Sequence, residues 1–196
     1  IDGGAGTDTL YGDAGDDRIV GGEGDDTIEG GSGNDTIYAG NDPDLGLDVL
    51  DIPDEATDDF PFSPDRNPDN GRDLVNGGAG DDVIFGADDD DTLMGGSGND
   101  TIDGQIDDDV ISGNTGDDSL LGGQGDDSIS GGQGDDTLEG GIGDDTLRGN
   151  RNDDTLMGGD GDDVLDGGGE NDLLEGGDGD DSLQGAQGDD TMRGGD

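Results

Sequence analysis

A nine-residue step governs this chain. Nineteen times, at the same place in a repeated unit, an Asp stands two positions before an aliphatic residue, from the pair Asp8 and Leu10 to the pair Asp190 and Met192. The Asp file begins Asp8, Asp17, Asp26, Asp35, Asp48 and Asp73. It then runs without a slip through Asp82, Asp91, Asp100, Asp109, Asp118, Asp127, Asp136, Asp145, Asp154, Asp163, Asp172, Asp181 and Asp190. Every partner is Leu, Ile, Val or Met. A pattern held at fixed spacing over a whole chain describes a stack of similar units rather than a globule around one centre.

Let the Gly that opens each unit be position 1, as in Gly21-Gly22-Glu23-Gly24-Asp25-Asp26-Thr27-Ile28-Glu29. Positions 7 to 9 alternate in hydropathy, which reads as a short strand with one residue inward and two outward. Positions 1 to 6 are Gly-rich and acidic and read as turn, where Gly supplies positive φ at low steric cost. Two units close one coil of strand, turn, strand, turn. Stacked coils then form two parallel sheets facing each other across a single file of aliphatic side chains. The expected fold is all-β, a parallel β-roll (a β-solenoid) with two nonapeptide repeats per coil. At ~4.8 Å per coil, about 9.5 coils make a rod roughly 45 Å long.

The periodicity divides the chain into in-phase repeats over 1–38, an interrupted region over 39–76 and continuous repeats over 77–196. Inside the interruption, Pro43–Asp51 keeps Gly46, Asp48 and Leu50, and Pro68–Asn76 keeps Gly71, Asp73 and Val75. Ala39–Asp42 and Ile52–Asn67 are insertions. All five prolines fall in or beside them, and proline removes a ladder donor, so regular strands are least expected there. The 52–67 stretch reads as an extruded loop, or as a contact site for another domain or partner. The chain opens and closes within a repeat, which reads as a segment of a longer array.

The formal charge is −50, from 56 acidic residues against six Arg and no Lys. Such a chain repels nucleic acid and anionic membranes, and its natural partners are cations. With 24% hydrophobic and 3% aromatic residues, it has the composition of a disordered chain until something neutralises the acids. There is no Cys, His or Lys, so the usual nucleophile and base pairings are missing and the segment reads as non-catalytic.

Asp at position 6 recurs once per turn, on alternating sides of the rod, so units two apart stack on one edge. There the nineteen Asp carboxylates converge with turn carbonyls such as those of Gly21, Gly24, Gly122, Gly125, Gly131 and Gly134. An all-oxygen ligand set on flexible turns favours Ca²⁺ over Mg²⁺ and Zn²⁺. Position 5 is usually Asp but also Asn34, Asn99, Asn171, Thr7 and Arg72, and reads as solvent-facing rather than as a ligand. Position 4 departs from Gly at Asp89 and Asp107 on one edge and at Asn152 and Glu170 on the other. Those turns are where altered or vacant sites are expected.

The units match G-G-x-G-x-D-x-U-x, and nearly the whole chain outside Ala39–Asp42 and Ile52–Asn67 resembles the RTX (repeats-in-toxin) calcium-binding repeat family. The resemblance implies a parallel β-roll with a Ca²⁺ between successive turns on each edge, up to about 17 ions in nineteen turns. It also implies export unfolded by type I secretion, folding in external calcium, and a secreted or cell-surface location. Three roles fit: a calcium-responsive structural module, an adhesin or surface-layer segment with self-assembly or a cell-surface partner, or an accessory module of a secreted protease, lipase or alginate epimerase. Ice binding is disfavoured, because position 3 carries Thr only at Thr115.

Overall fold

The computed structural model describes residues 1–40 and 71–195, and these residues form nineteen strands, numbered in chain order, with no helix among them. One sheet has ten strands: β1 (Asp2–Ala5), β3 (Arg18–Glu23), β5 (Thr36–Tyr38), β7 (Val83–Ala87), β9 (Thr101–Ile106), β11 (Ser119–Gln124), β13 (Thr137–Ile142), β15 (Thr155–Asp160), β17 (Leu173–Asp178) and β19 (Thr191–Gly195). The other has nine: β2 (Thr9–Ala14), β4 (Thr27–Ser32), β6 (Leu74–Ala79), β8 (Thr92–Ser97), β10 (Val110–Thr115), β12 (Ser128–Gln133), β14 (Thr146–Arg151), β16 (Val164–Gly168) and β18 (Ser182–Ala186). Neighbours in each sheet are parallel, and the chain alternates between sheets at every turn, as a β-solenoid of two repeats per coil requires.

The register is the double period. Leu120 pairs with Leu138 and Leu138 with Leu156, each 18 residues on. Position 8 therefore stacks on position 8 throughout, and Ile19, Ile28, Ile37, Val75, Ile84, Leu93 and their successors to Leu174 form the buried core. Positions 7 and 9 face outward and are exposed or half-buried in most strands, as in β13. Near one end the outward face carries a short ladder: Arg18 lies 4.7 Å over the Tyr38 ring, which stacks on Phe85 at 5.1 Å.

The strands are longer than the alternation suggests. In most coils they run from position 7 through position 3 of the next unit, six residues in all, as in Thr137–Ile142. The turn proper is confined to positions 4 to 6. Hydropathy could not reveal this, because positions 1 and 2 are mostly Gly and pair through backbone alone, as Gly123 does with Gly141.

The interruption is bridged differently from the even count of units. Ile28 pairs with Val75 and Ile37 with Ile84, a step of 47 residues. The unit containing Asp73 thus stacks on the unit containing Asp26, and no coil lies between them. The unit containing Asp48, the insertion 52–67 and the five prolines lie outside the described residues.

Candidate metal centre

The turns place the position-6 Asp side chains in two inward files, one along each edge. One file is Asp8, Asp26, Asp73, Asp91, Asp109, Asp127, Asp145, Asp163 and Asp181. The other is Asp17, Asp35, Asp82, Asp100, Asp118, Asp136, Asp154, Asp172 and Asp190. From Asp26 to Asp172 these carboxylates are buried, at 1–3% exposure. Their two oxygens have different fates. Oδ1 accepts the backbone N–H of the Asp one coil earlier: Asp127 takes that of Asp109 at 2.8 Å, and Asp145 that of Asp127 at 2.8 Å. The contact continues across the interruption, where Asp73 accepts from Asp26 at 2.6 Å. Oδ2 has no hydrogen-bond partner in seventeen of these side chains, from Asp8 to Asp181.

A buried carboxylate oxygen without a partner costs its full desolvation penalty, and repeating it seventeen times would be untenable unless something else satisfies it. The protonation equilibria carry the same strain. Asp73 is pushed up to about 8, Asp91 to about 10 and Asp109 to about 8. Loss of hydration on burial is the main cause, the N–H bond opposes it, and the stacked carboxylates add repulsion. Asp100, Asp145 and Asp154 rise to about 7, and Asp118, Asp127 and Asp136 to about 6, with burial again first. A cation bound at Oδ2 would offset each shift by stabilising the ionised carboxylate.

Position 1 defines the space such a cation would fill. A Cβ built on Gly122 would overlap Asp127 Oδ2 and lie 2.7 Å from the carbonyl of Gly140 in the next coil. At Gly104 it would overlap Asp109 Oδ2 and lie 2.8 Å from the Gly122 carbonyl; at Gly3 it would meet Asp8 Oδ2 and the Gly21 carbonyl. Carboxylate and carbonyl oxygens thus face one small cradle in each interval. Position 1 is Gly in every unit whose position 1 and position-6 Asp are both described, although its φ is not left-handed; the unit of Asp73 opens instead with Pro68, which lies outside the described residues. Positions 2 and 4 are left-handed, yet position 2 tolerates Gln105, Asn114, Asn150 and Ala186, and position 4 tolerates Asp89 and Glu170. The strictest demand for Gly therefore falls where a side chain would fill the cradle, not where backbone conformation requires it. Ala39 takes the position-1 place where the in-phase repeat breaks off.

The carbonyls named from the sequence separate into two kinds. Those of Gly21 and Gly122, at position 1, point into cradles, whereas those of Gly24 and Gly125, at position 4, point at Gly71 and Gly143 of the next coil. Gly131 holds the equivalent position-1 place beside Asp136, and Gly134 the position-4 place packed on Gly116. Among the described residues no three acidic side chains converge on one point, so a cation here relies on carboxylates together with backbone oxygens. That donor set is hard, and it suits Ca²⁺.

Position 5 is solvent-exposed in most units, as expected, but it has a structural task the sequence did not reveal. Its side-chain oxygen accepts the position-5 N–H of the next coil: Asp126 from Asp144 at 2.8 Å, Asp144 from Asp162 at 2.8 Å, and Asn99 from Asp117 at 3.1 Å. Asn serves as well as Asp because only the oxygen is used. Arg72 cannot accept, and instead pairs with Asp90 at 2.7 Å. The position-4 departures also have a task. Asp89 Oδ2 accepts the Gly71 N–H at 3.0 Å, Asp107 Oδ2 that of Asp89 at 3.2 Å, and Glu170 Oε2 that of Asn152 at 3.0 Å. In regular turns this N–H goes to a position-3 carbonyl, as Gly125 donates to Ile142.

No curated protein matches the chain. A family model spanning four copies of the RTX calcium-binding nonapeptide repeat does match, over residues 1–19, 11–45, 69–102, 103–138, 139–174 and 166–196. These matches cover most of the chain and coincide with the stacked coils, the two Asp files and their cradles. The chain belongs to the RTX calcium-binding nonapeptide repeat family, and calcium binding is the property that membership implies.

Proposed function

We propose that this segment is a calcium-driven structural module. The position-6 carboxylates and position-1 carbonyls hold Ca²⁺ between successive coils on both edges. The observation that carries this reading is the double file of buried Oδ2 atoms without hydrogen-bond partners, all but that of Asp73 facing a glycine cradle. Nine Asp on each edge leave eight intervals per edge in the described ladder. When bound, calcium supplies the positive charge that lets stacked carboxylates stay ionised while buried. The chain's own residues do the rest: Oδ1 fixes each carboxylate on the N–H of the preceding coil, and glycine keeps the cradle open. The stacked turns exist only in the folded roll, so ion binding is folding free energy.

The module works outside the cell in this reading, where calcium is abundant. Extracellular calcium modules bind with Kd of ~10⁻⁴–10⁻³ M, which leaves the chain unfolded before export and folded after it. Secretion, a surface location and a non-catalytic role belong to the same proposal. Crystals grown with calcium test the ligand assignment. Anomalous-difference peaks should lie between consecutive position-6 carboxylates; peaks confined to the outer position-5 side chains would overturn it.

A further inference from the structure

Two of the six Arg stand together on the outer face of a chain with net charge −50. Arg148 and Arg151 lie on β14 and line a groove of about 490 Å³ with Asn150, Asp166, Glu170 and Gln187. The groove exists because of a missing side chain. Position 3 of three successive coils on this face is Arg151, Gly169 and Gln187, and Gly169 leaves the gap between its neighbours.

Neither guanidinium is paired. Arg148 sits directly opposite Asp166 in the ladder, yet Asp166 Oδ1 takes the Gln184 side-chain amide at 3.3 Å. Glu170 Oε2 is occupied by the Asn152 N–H at 3.0 Å. The other described Arg are all engaged: Arg18 lies over the Tyr38 ring, Arg72 bonds Asp90, and Arg193 bonds Glu175 in the same cross-strand relation that Arg148 has to Asp166. Each acid beside the groove thus spends one oxygen on a neutral donor rather than on Arg, and two planar forks of N–H donors are left unused around one open space.

We infer that this groove is a binding site for a small ligand carrying one oxyanion group, a carboxylate or a sulfate or phosphate ester. Arg148 and Arg151 hold the oxyanion in charge-assisted hydrogen bonds, and the remaining space, lined by Asn150, Gln187, the acids Asp166 and Glu170 and backbone at Gly168 and Gly169, accepts a hydrophilic carrier whose hydroxyl groups donate to those acids. A polyanion is excluded by repulsion from the acidic remainder of the rod.

The test uses the calcium-loaded protein and NMR titration with sodium acetate, sodium sulfate and a sulfated monosaccharide, with sodium chloride at matched ionic strength as the control. Saturable shifts are expected at Asn150, Gly168, Gly169 and Gln187 with an oxyanion and not with chloride. Acetate against sulfate distinguishes a carboxylate from a tetrahedral group. The double variant Arg148→Gln/Arg151→Gln should weaken binding about tenfold or more while calcium-induced folding stays unchanged. Gly169→Gln, which refills the gap, should abolish it by a different route. Shifts that do not saturate, that chloride reproduces, or that persist in both variants would overturn the assignment.

Discussion

Gly122→Ala isolates the cradle from the charges around it. Gly122 does not need left-handed backbone, so alanine carries no conformational penalty there. With room for its methyl group, the substitution would stabilise the roll by ~0.4–1 kcal/mol by restricting the unfolded chain. Instead its Cβ would overlap Asp127 Oδ2 and stand 2.7 Å from the Gly140 carbonyl. Forcing these atoms apart is overpacking, at ~1–3 kcal/mol, and it moves two oxygens away from the space they share. The net loss of about 1–2 kcal/mol corresponds to roughly tenfold weaker calcium binding at that interval. Isothermal titration of the purified chain gives stoichiometry and affinity, and far-ultraviolet circular dichroism gives the folding midpoint. Gly169→Ala is the matched control, since its Cβ would meet only the Asn150 carbonyl at 3.6 Å. Gly122→Ala should lose or weaken binding, while Gly169→Ala should keep wild-type stoichiometry and match or slightly exceed wild type in stability. Equal stoichiometry and midpoint for Gly122→Ala and wild type would refute the cradle argument.

Three further outcomes follow from the same geometry. Leu138→Ala, at a fully buried position in the aliphatic file, should cost ~2–5 kcal/mol and raise the calcium concentration needed for folding. Asp126→Ala removes the acceptor of the Asp144 N–H and should cost ~0.5–1.5 kcal/mol without changing the number of ions bound, while Asp126→Asn should be nearly neutral. Without calcium, acid should substitute for it. Asp73, Asp91 and Asp109 titrate near 8, 10 and 8 in the fold against 3.8 unfolded, so the folded chain holds the extra protons. Their contribution is fully present below the unfolded value and is lost as pH rises through the folded values. Calcium-free protein should therefore be more β-rich at pH 4 than at pH 8, and circular dichroism showing the reverse order would contradict the assignment. Calcium affinity should move the opposite way and fall as protons compete for Oδ2.

The fold was legible because one period carried two messages. The aliphatic at position 8 set the strand and its inward face, and Asp two residues earlier set the turn and its edge. Pairs such as Leu138 and Leu156 could be placed from spacing alone. The step from Asp26 to Asp73 could not, because the Pro-rich stretch erases the period that carries register. The different tasks of Asp126 and Asp127 were half legible. Fixed phase separated them, but the N–H bond from the next coil to Asp126 appears only once coils are stacked. The acids at position 4 looked like defects because a sequence does not display the backbone donors that Asp89 and Glu170 satisfy. The gap at Gly169 becomes visible only when residues 18 apart are read as neighbours.

The central claim is that buried position-6 carboxylates make calcium a condition of folding. Its most direct test is circular dichroism of the isolated chain during calcium titration at constant ionic strength, starting in excess chelator. The chain should begin disordered and convert cooperatively to a β spectrum as calcium is added, and magnesium at equal concentration should not replace it. A full β spectrum in chelator at neutral pH, unchanged by calcium, would contradict the account.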